Sequence, residues 1–358
     1  MASLWMVVSN TFPALESAIW ILDILAIIYV VRCFVRASLL HFNLKLVLIN
    51  CSTCLALYGL GRLGMNLDSA LQFYGVGPAN LACRNLLIIP KILIIMGLLM
   101  GMMSVVISTI ERTVATFIPK KYEQMKKTKF ELVLLIITWV TGISVALAVQ
   151  LASRKEVNHC DRADPSDSAF ILHIHTEFML GIFTTSVIAC CANGLVLYAL
   201  YRHNKKMRSE LTLAELNVRY QYTENIITTR FLLALTAANV TVAIVCLALV
   251  VFYLIARVTH LSPHVDLIFI EQSFNLVIAS YGFLFNILCL RMYRPNRDQL
   301  LRDINRIPYF RRKAKVEQMA SQQVKSVEGH VLSFKNEGSV YFSFLAQQWN
   351  ATPKLAWS

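Results

Sequence analysis

Charged residues are scarce in this chain of 358 amino acids: they make up only 15% of it, while hydrophobic residues make up 56%. A composition this apolar, with a mean hydropathy of +0.56, excludes an ordinary soluble globular domain. Several apolar runs exceed about 18 residues, the length at which a helix can cross a bilayer. The composition therefore predicts a polytopic membrane protein.

Motifs for catalysis and cofactor binding are also missing. The sequence has no glycine-rich loop that could cradle a phosphate, no zinc-type spacing and no nucleophilic Ser or Cys in a recognisable setting. His173, His175 and Glu177 suggest a metal site, but residues two apart point to nearly opposite sides of a helix, so the two histidines cannot share an ion. We therefore expect no enzyme activity, no metal and no cofactor.

Two further features that the sequence lacks bear on its class. Residues 1–13 have neither the basic start nor the apolar core of a secretory signal, so we expect the first span to direct insertion itself. No internal repeat is evident, which counts against a transporter built from inverted halves. A formal net charge of +13 could indicate a nucleic-acid partner, but the basic residues cluster in alternate loops and in the tail. That pattern sets membrane topology, and we expect no nucleic-acid binding.

Seven apolar segments are long enough to span a bilayer, and they predict an all-α bundle of seven transmembrane helices. The predicted segments are 15–35, 44–64, 86–110, 132–151, 170–200, 231–256 and 267–290. A short extracellular segment, 1–14, precedes the predicted transmembrane domain, 15–290. The fifth segment is longer than a bilayer requires, so we expect its end to project as a helical stalk.

The distribution of Lys and Arg between the loops predicts the orientation. Basic residues are frequent in 32–45, 112–129 and 202–219, and in the tail from Arg291 onward. The opposite loops carry only Arg84, Arg154, Lys155, Arg162 and Arg257. By the positive-inside rule, the N-terminus is outside and the C-terminus is in the cytosol.

The tail after the seventh span begins with many basic residues. Residues 291–310 are predicted to form an amphipathic helix on the inner leaflet, with Leu300, Leu301 and Ile304 resting on lipid. The polar remainder, 311–358, is predicted to be a mobile cytosolic tail. Membrane lipid is thus one expected partner.

Of the nine cysteines, only Cys83 and Cys160 fall outside the spans on the predicted outer side. Two such cysteines in an oxidising compartment are expected to pair. The bond would tie the loop after span four to the start of span three. The alternative is two unpaired thiols.

A pair of charges, Glu111 and Arg112, ends the third span. The guanidinium could be a simple interfacial anchor, or it could pair with a carboxylate. Glu224, in a helix-forming segment before span six, is the candidate partner. A partly solvated pair contributes about 1 kcal/mol or less, so it could bias a two-state switch but not lock it.

Polar and ionisable side chains within the outer half of the bundle are candidates for ligand binding, since such groups are costly at that depth. They are Arg62, Lys91, His173, Glu177, Glu271, Gln272 and Asn275. An equally physical alternative is that Lys91 pairs with Glu177 or Glu271 and only holds helices together. Asp23, in the first span, is expected to make a buried polar contact with another helix.

Two motifs resemble a known family. They are Glu-Arg-Thr-Val-Ala-Thr at 111–116, followed by Tyr122-Glu123, and Arg-Tyr-Gln-Tyr-Thr-Glu-Asn at 219–225. Both are similar to the nematode serpentine receptors, and most similar to class epsilon (Sre) of the Sra superfamily. The neighbouring classes beta and alpha-beta share parts of both motifs. The resemblance extends from about residue 18 to about residue 306.

The resemblance implies a G-protein-coupled chemoreceptor in the plasma membrane of sensory neurons, with cilia as the expected site. Its partners would be a small chemical cue, held between the outer halves of spans three, five, six and seven, and a heterotrimeric G protein. Glu111, Arg112 and Glu224 would then form the G-protein switch, and the basic loops 120–129 and 202–219 the docking surface. A ligand-gated channel and a small-molecule transporter are the alternatives.

Overall fold

The computed structural model describes residues 2–37, 41–73, 88–118, 129–156, 176–210, 216–258 and 264–306. Across these ranges the regular structure consists of helices. They are α1 (Ala2–Arg36), α2 (Phe42–Phe73), α3 (Ile88–Phe117), α4 (Lys129–Glu156), α5 (Thr176–Glu210), α6 (Leu216–Val258), α7 (His264–Arg291) and α8 (Arg294–Arg306). The chain divides into two compact units, 1–299 and 300–358, and α1 to α7 belong to the first.

Helices α1 to α7 are each long and apolar enough to cross a membrane. Every one of the seven predicted segments overlaps one of them, so the predicted seven-helix architecture is confirmed. The orientation of the bundle in the membrane remains a prediction.

Three helices are much longer than a bilayer requires. α1 and α5 have 35 residues each, and α6 has 43. At 1.5 Å per residue, α6 extends about 65 Å, against a hydrocarbon core of about 30 Å. The helix-forming segment that the sequence places before span six is therefore continuous with that span. No proline or glycine interrupts 216–258, which explains the continuity.

Successive helices run in opposite directions. Moving forward along α3 from Met100 to Ile107, the packing partners on α4 move backward from Ala146 to Leu135. We call the side of the bundle where α1, α3, α5 and α7 begin the N face, and the opposite side the C face. Under the predicted orientation, the N face would be extracellular and the C face cytosolic.

Apolar packing divides the interior between the two faces. Toward the N face, Trp20 packs on Tyr58 and Phe183 packs edge-on against Phe274. Toward the C face, Phe231 contacts Tyr293 within a second cluster. Burying one such side chain contributes about 1.5–3 kcal/mol in water. Within a membrane, close contact and hydrogen bonds take over much of that role.

Helix α4 is held to the bundle by a polar contact as well as by apolar packing. Trp139 Nε1 donates to Asn50 Oδ1 at 2.8 Å, and Asn50 Nδ2 donates to Ser104 Oγ at 2.7 Å. Three helices, α2, α3 and α4, are thus joined through one asparagine. Large apolar side chains on the outer side of α4, such as Ile136 and Val140, are exposed, as expected for a face that meets lipid.

Small residues let the backbones of α2 and α3 touch. A Cβ atom at Gly97 would lie 2.7 Å from the carbonyl oxygen of Cys54 and 2.8 Å from the amide nitrogen of Tyr58. Such close approach is a common way for membrane helices to associate. Glycine is therefore required at this position for a steric reason.

The substitution Gly97→Ala is expected to destabilise the bundle by about 1–3 kcal/mol, since α2 and α3 must move apart to admit the methyl group. Gly181→Ala is the matched control, because a Cβ there meets no atom within 4 Å. The measurement is the unfolding temperature of the purified protein in detergent. Equal temperatures for the two variants would show that the α2–α3 contact is less close than described.

Candidate functional site

A buried ion pair joins α1 and α2 toward the N face. Arg62 Nε donates to Glu16 Oε1 at 2.8 Å, and its Nη2 donates to Glu16 Oε2 at 2.9 Å. Asn66 Nδ2 adds a hydrogen bond of 3.1 Å to Oε2. The two charged side chains are only 2% and 1% exposed. This bidentate geometry is the strongest form of such a pair, and losing one partner would leave an uncompensated buried charge.

Arg62 was a predicted ligand-binding residue, and the structure engages two of its nitrogens with Glu16. Sequence reasoning did not select Glu16, which lies just before the first long apolar run and looks like a boundary residue. Its partner is 46 positions away, so local pattern carries no signal for the pair. Only the packing of α1 on α2 brings them together.

Three further predicted residues lie together on α7, at the same end of the bundle. Glu271 and Asn275 are one turn apart and buried, and Gln272 is partly buried. Their neighbours Ile270 and Phe274 pack in one cluster with residues of α1 and α2 that flank Glu16 and Arg62. Within the part of the chain that the structure describes, Glu271 Oε1, Gln272 Oε1 and both amide atoms of Asn275 lack a hydrogen-bond partner. The structure thus places these residues close to the Arg62–Glu16 pair.

The structure describes only some of the remaining outer candidates. Lys91 lies in the first turn of α3 and is partly buried. His173, Cys83, Cys160 and the side chain of Glu177 lie outside the described residues. Ligand binding by these residues, the Lys91 pairings and the disulfide stay predictions.

A cavity of about 110 Å³ lies at the centre of the bundle, between α2, α3, α5, α6 and α7. Its wall is mainly apolar, with a few polar side chains. The residues that line it include Tyr58, Gly101, Ser108, Leu232, Thr236 and Cys246. None of the described ligand-binding candidates lines this cavity, which lies deeper than the predicted site. The spacing of Gly97 and Gly101, one turn apart on one face of α3, was the available signal.

At the C face, Arg112 connects α3 to α6. Its guanidinium forms an ion pair with Glu111 of the same helix, and both side chains are buried. Its Nη1 donates to Thr228 Oγ1 at 2.8 Å and to Asn225 Oδ1 at 3.2 Å. Asn225 Nδ2 in turn donates to the carbonyl oxygen of Ala115 at 3.1 Å. The amide of Asn225 and the hydroxyl of Thr228 thus join α6 to the charged guanidinium of α3, which also pairs with Glu111.

The sequence suggested a different partner for Arg112, namely Glu224. The structure pairs Arg112 with Glu111, and Asn225 and Thr228 of α6 accept hydrogen bonds from its guanidinium. Glu224 is the immediate neighbour of Asn225, and its backbone carbonyl accepts from Thr228 at 2.9 Å. The Arg112–Glu224 pair itself stays a prediction. Asn225 lies within the same motif, so its position was visible even though its role was not.

Between the two faces, α1 and α7 make one more polar contact. Asn286 Nδ2 donates to Asp23 Oδ1, and both residues are buried. The absence of a side chain at Gly282 makes room for the Asp23 carboxylate. The expectation that Asp23 contacts another helix is confirmed.

Seven membrane-length helices, a polar network at one face and a central cavity together define a seven-helix membrane protein. Residues 3–350 match the sequence model described as "Serpentine type 7TM GPCR receptor class ab chemoreceptor", and the chain belongs to this family. The chain is also similar to a probable G-protein coupled receptor of Caenorhabditis elegans. They are 21% identical over 360 residues, which cover 94% of this chain and 91% of that protein.

The protein is therefore a chemosensory G-protein-coupled receptor of the nematode serpentine type. This confirms the receptor prediction and does not favour a channel or a transporter. The narrower prediction of class epsilon is not confirmed, because the matching model is that of class ab.

Replacing Asn225 with Ala should raise basal G-protein activation several-fold. The variant removes two contacts between α6 and α3, each contributing about 0.5–1.5 kcal/mol, which can shift a two-state population by about 5- to 150-fold. Thr223→Ala is the control, since the Thr223 hydroxyl bonds to the backbone of its own helix, at Arg219. Nucleotide exchange in membranes at matched receptor levels is the readout. Unchanged basal activity in Asn225→Ala would show that these contacts do not restrain activation.

A histidine beside the same network offers a pH test. His41 immediately precedes α2, and its Nδ1 accepts from the amide of Asn43 at 3.4 Å. Burial lowers the pKa of His41 below 6.5, the nearby Glu111 opposes that shift, and Arg112 adds to it. The folded protein thus favours the neutral imidazole.

We expect acidification below pH 6.5 to lower the unfolding temperature more in the wild type than in His41→Asn. A lowered pKa makes the unfolded chain bind the proton first, so stability is lost as pH falls through this range and is unaffected well above it. Asparagine keeps an acceptor for the helix start without titrating. Parallel pH profiles for the two proteins would contradict this prediction.

Proposed function

We propose that this receptor binds a small chemical cue in the central cavity and that α3 and α6 carry the binding event to a G protein at the C face. The observation that carries the proposal is the position of the cavity relative to the Arg112 network. Ser108 lines the cavity and lies one turn before Arg112 on α3. Leu232 also lines it and lies one turn after Thr228 on α6.

Residues one turn apart share a helix face, so a ligand that moves Ser108 or Leu232 acts directly on the two helices joined by Arg112. Packed interiors respond to such contacts by shifting between discrete arrangements. A cue that fits the arrangement with a separated C face better than the closed one would favour activation.

The orientation belongs to the same proposal. The positive-inside rule supports an extracellular N face and a cytosolic C face, in the plasma membrane, with sensory cilia as the expected site. Basic residues at the ends of α5 and α6 support a G-protein docking surface there. They are Arg202, Lys205, Lys206, Arg208 and Arg219. The apolar residues of α8 support its placement on the inner leaflet.

Polar residues near the N face complete the proposed receptor. We include Arg62, Lys91, His173, Glu177, Glu271, Gln272 and Asn275 as residues that select the cue, and a Cys83–Cys160 disulfide above them. Glu111, Arg112 and Glu224, together with Asn225, form the proposed switch. The two motifs alone support class epsilon, and the family match to class ab outweighs them.

Gly101→Val tests the cavity. A Cβ at Gly101 meets one atom within 4 Å, Cys54 Cβ at 3.9 Å, and Gly101 lines the cavity, so the added side chain fills part of that volume. We expect responses to a broad panel of small chemicals to fall at least about tenfold, because filling a cavity removes the space for a ligand. Basal activity should be retained, and G-protein activation in transfected cells is the readout.

Gly181→Val is the matched control, because Gly181 is exposed and a Cβ there meets no atom within 4 Å. It should respond as the wild type does at equal surface expression. A response that persists undiminished in Gly101→Val would place the cue outside the cavity.

A further inference from the structure

Several buried polar atoms near the N face make no hydrogen bond within the part of the chain that the structure describes. Glu271 and Asn275 are 2% and 1% exposed, and Tyr58 is 3% exposed. Among the described residues, Glu271 Oε1, the Tyr58 hydroxyl and the Asn275 amide make no hydrogen bond. Unpaired buried polar groups are rare in native proteins, and inside a membrane they mark functional sites. This set points to a missing partner.

A second carboxylate lies beside an ion pair that is already complete. Arg62 directs two nitrogens to Glu16, in a bidentate pair that uses both carboxylate oxygens. Glu271 is the second carboxylate, and its neighbours on α7, Ile270 and Phe274, pack in one cluster with Tyr58 of α2. Its Oε1 makes no hydrogen bond to the residues that the structure describes. A ligand that donates hydrogen bonds would satisfy it.

The residues with unpaired atoms, Tyr58, Glu271 and Asn275, which we call the unpaired set, adjoin the central cavity. Tyr58 and Cys246 form part of the cavity wall, and both pack in one cluster with Ile270 and Phe274, the neighbours of Glu271 and Asn275 on α7. On α7, the cavity-lining Ile278 follows Asn275 by three residues, about one turn. A ligand in the cavity can therefore meet the unpaired set at Tyr58.

The unpaired side-chain atoms indicate which chemical group the ligand carries. Glu271, Gln272 and Asn275 each offer an unpaired side-chain oxygen acceptor. An ammonium group supplies three donors and no acceptor, whereas a carboxylate supplies no donor and an alcohol supplies one. The cavity, at about 110 Å³, is smaller than the roughly 150 Å³ cavity that admits benzene, so the apolar part must be short.

We propose that the cue is a small organic amine, whose ammonium group binds Glu271 beside Tyr58 and Asn275 while its short apolar chain occupies the central cavity. The inference rests on the proposed function, since it assigns a ligand class to the same cavity. It also explains why a second carboxylate is placed beside an ion pair that is already complete.

The test compares primary amines with the alcohols of equal chain length: propylamine, butylamine and pentylamine against propanol, butanol and pentanol. Binding is measured on the full chain in detergent, through the ligand-dependent rise in unfolding temperature. We expect the amines to stabilise the wild type more than the alcohols do. In Glu271→Gln the affinity for butylamine should fall about 10- to 100-fold, the typical loss for a charged hydrogen bond.

Glu210→Gln is the matched control, since it makes the same chemical change at an exposed position at the end of α5. Glu271→Gln removes an unpaired buried charge, so it should fold, and its unfolding temperature without ligand checks this. Tyr58→Phe is the second variant, which removes only the hydroxyl and should weaken butylamine binding about 2- to 10-fold.

Three results would overturn the inference: no stabilisation of the wild type by any amine, equal effects of butylamine and butanol, or full butylamine affinity in Glu271→Gln. Failure here is distinguishable from failure of the proposed function. If neutral chemicals activate the wild type but not Gly101→Val, the cavity stands and only the amine is wrong. If butylamine binds Gly101→Val as it binds the wild type, the cavity placement is wrong.

Discussion

A guanidinium buried among membrane helices must find its counter-charge inside the protein, and the rest of this structure depends on how two arginines meet that need. Arg62 pairs with Glu16 across two helices, whereas Arg112 pairs with Glu111 in its own helix. The first pair holds α1 to α2, since separating them would leave bare charges in an apolar medium. The second pair places a counter-charge for Arg112 on α3 itself.

This difference separates the permanent contacts of the bundle from those that can open. At the C face, α6 holds α3 through an amide and a hydroxyl, which can exchange their partners for water at modest cost. A charged cross-helix lock would resist opening more strongly and would respond more to salt. The receptor thus combines a bidentate ion pair between helices toward the N face with a C face at which uncharged side chains of α6 accept hydrogen bonds from Arg112.

Hydrophobic length was enough to predict the seven helices, because a spanning helix needs only a sufficiently long apolar run. The polar candidates Arg62, Glu271 and Arg112 were also visible, since charges within such runs are rare. Their partners were not. Glu16 and Asn225 become contacts only when distant helices pack, and a search by charge favours Glu224 over the amide beside it.

The cavity could not be predicted from the sequence, for a different reason. Helical periodicity shows that Gly97 and Gly101 share a face, but not that α2 fills the space at the first and leaves it open at the second. A Cβ at Gly97 would touch α2 backbone, whereas at Gly101 it would meet one atom at 3.9 Å. Such a difference depends on the packing of several helices together.

The length of α6 has a mechanical consequence. From Thr236 at the cavity to Leu216 at its start, the helix has no proline or glycine at which it could bend. It is a lever arm of about 30 Å. A tilt of about 10° at the cavity therefore sweeps the far end through about 5 Å, nearly the rise of one helical turn. A displacement too small to disturb the packing around a ligand is thus amplified, by helix length alone, into one large enough to open a binding surface.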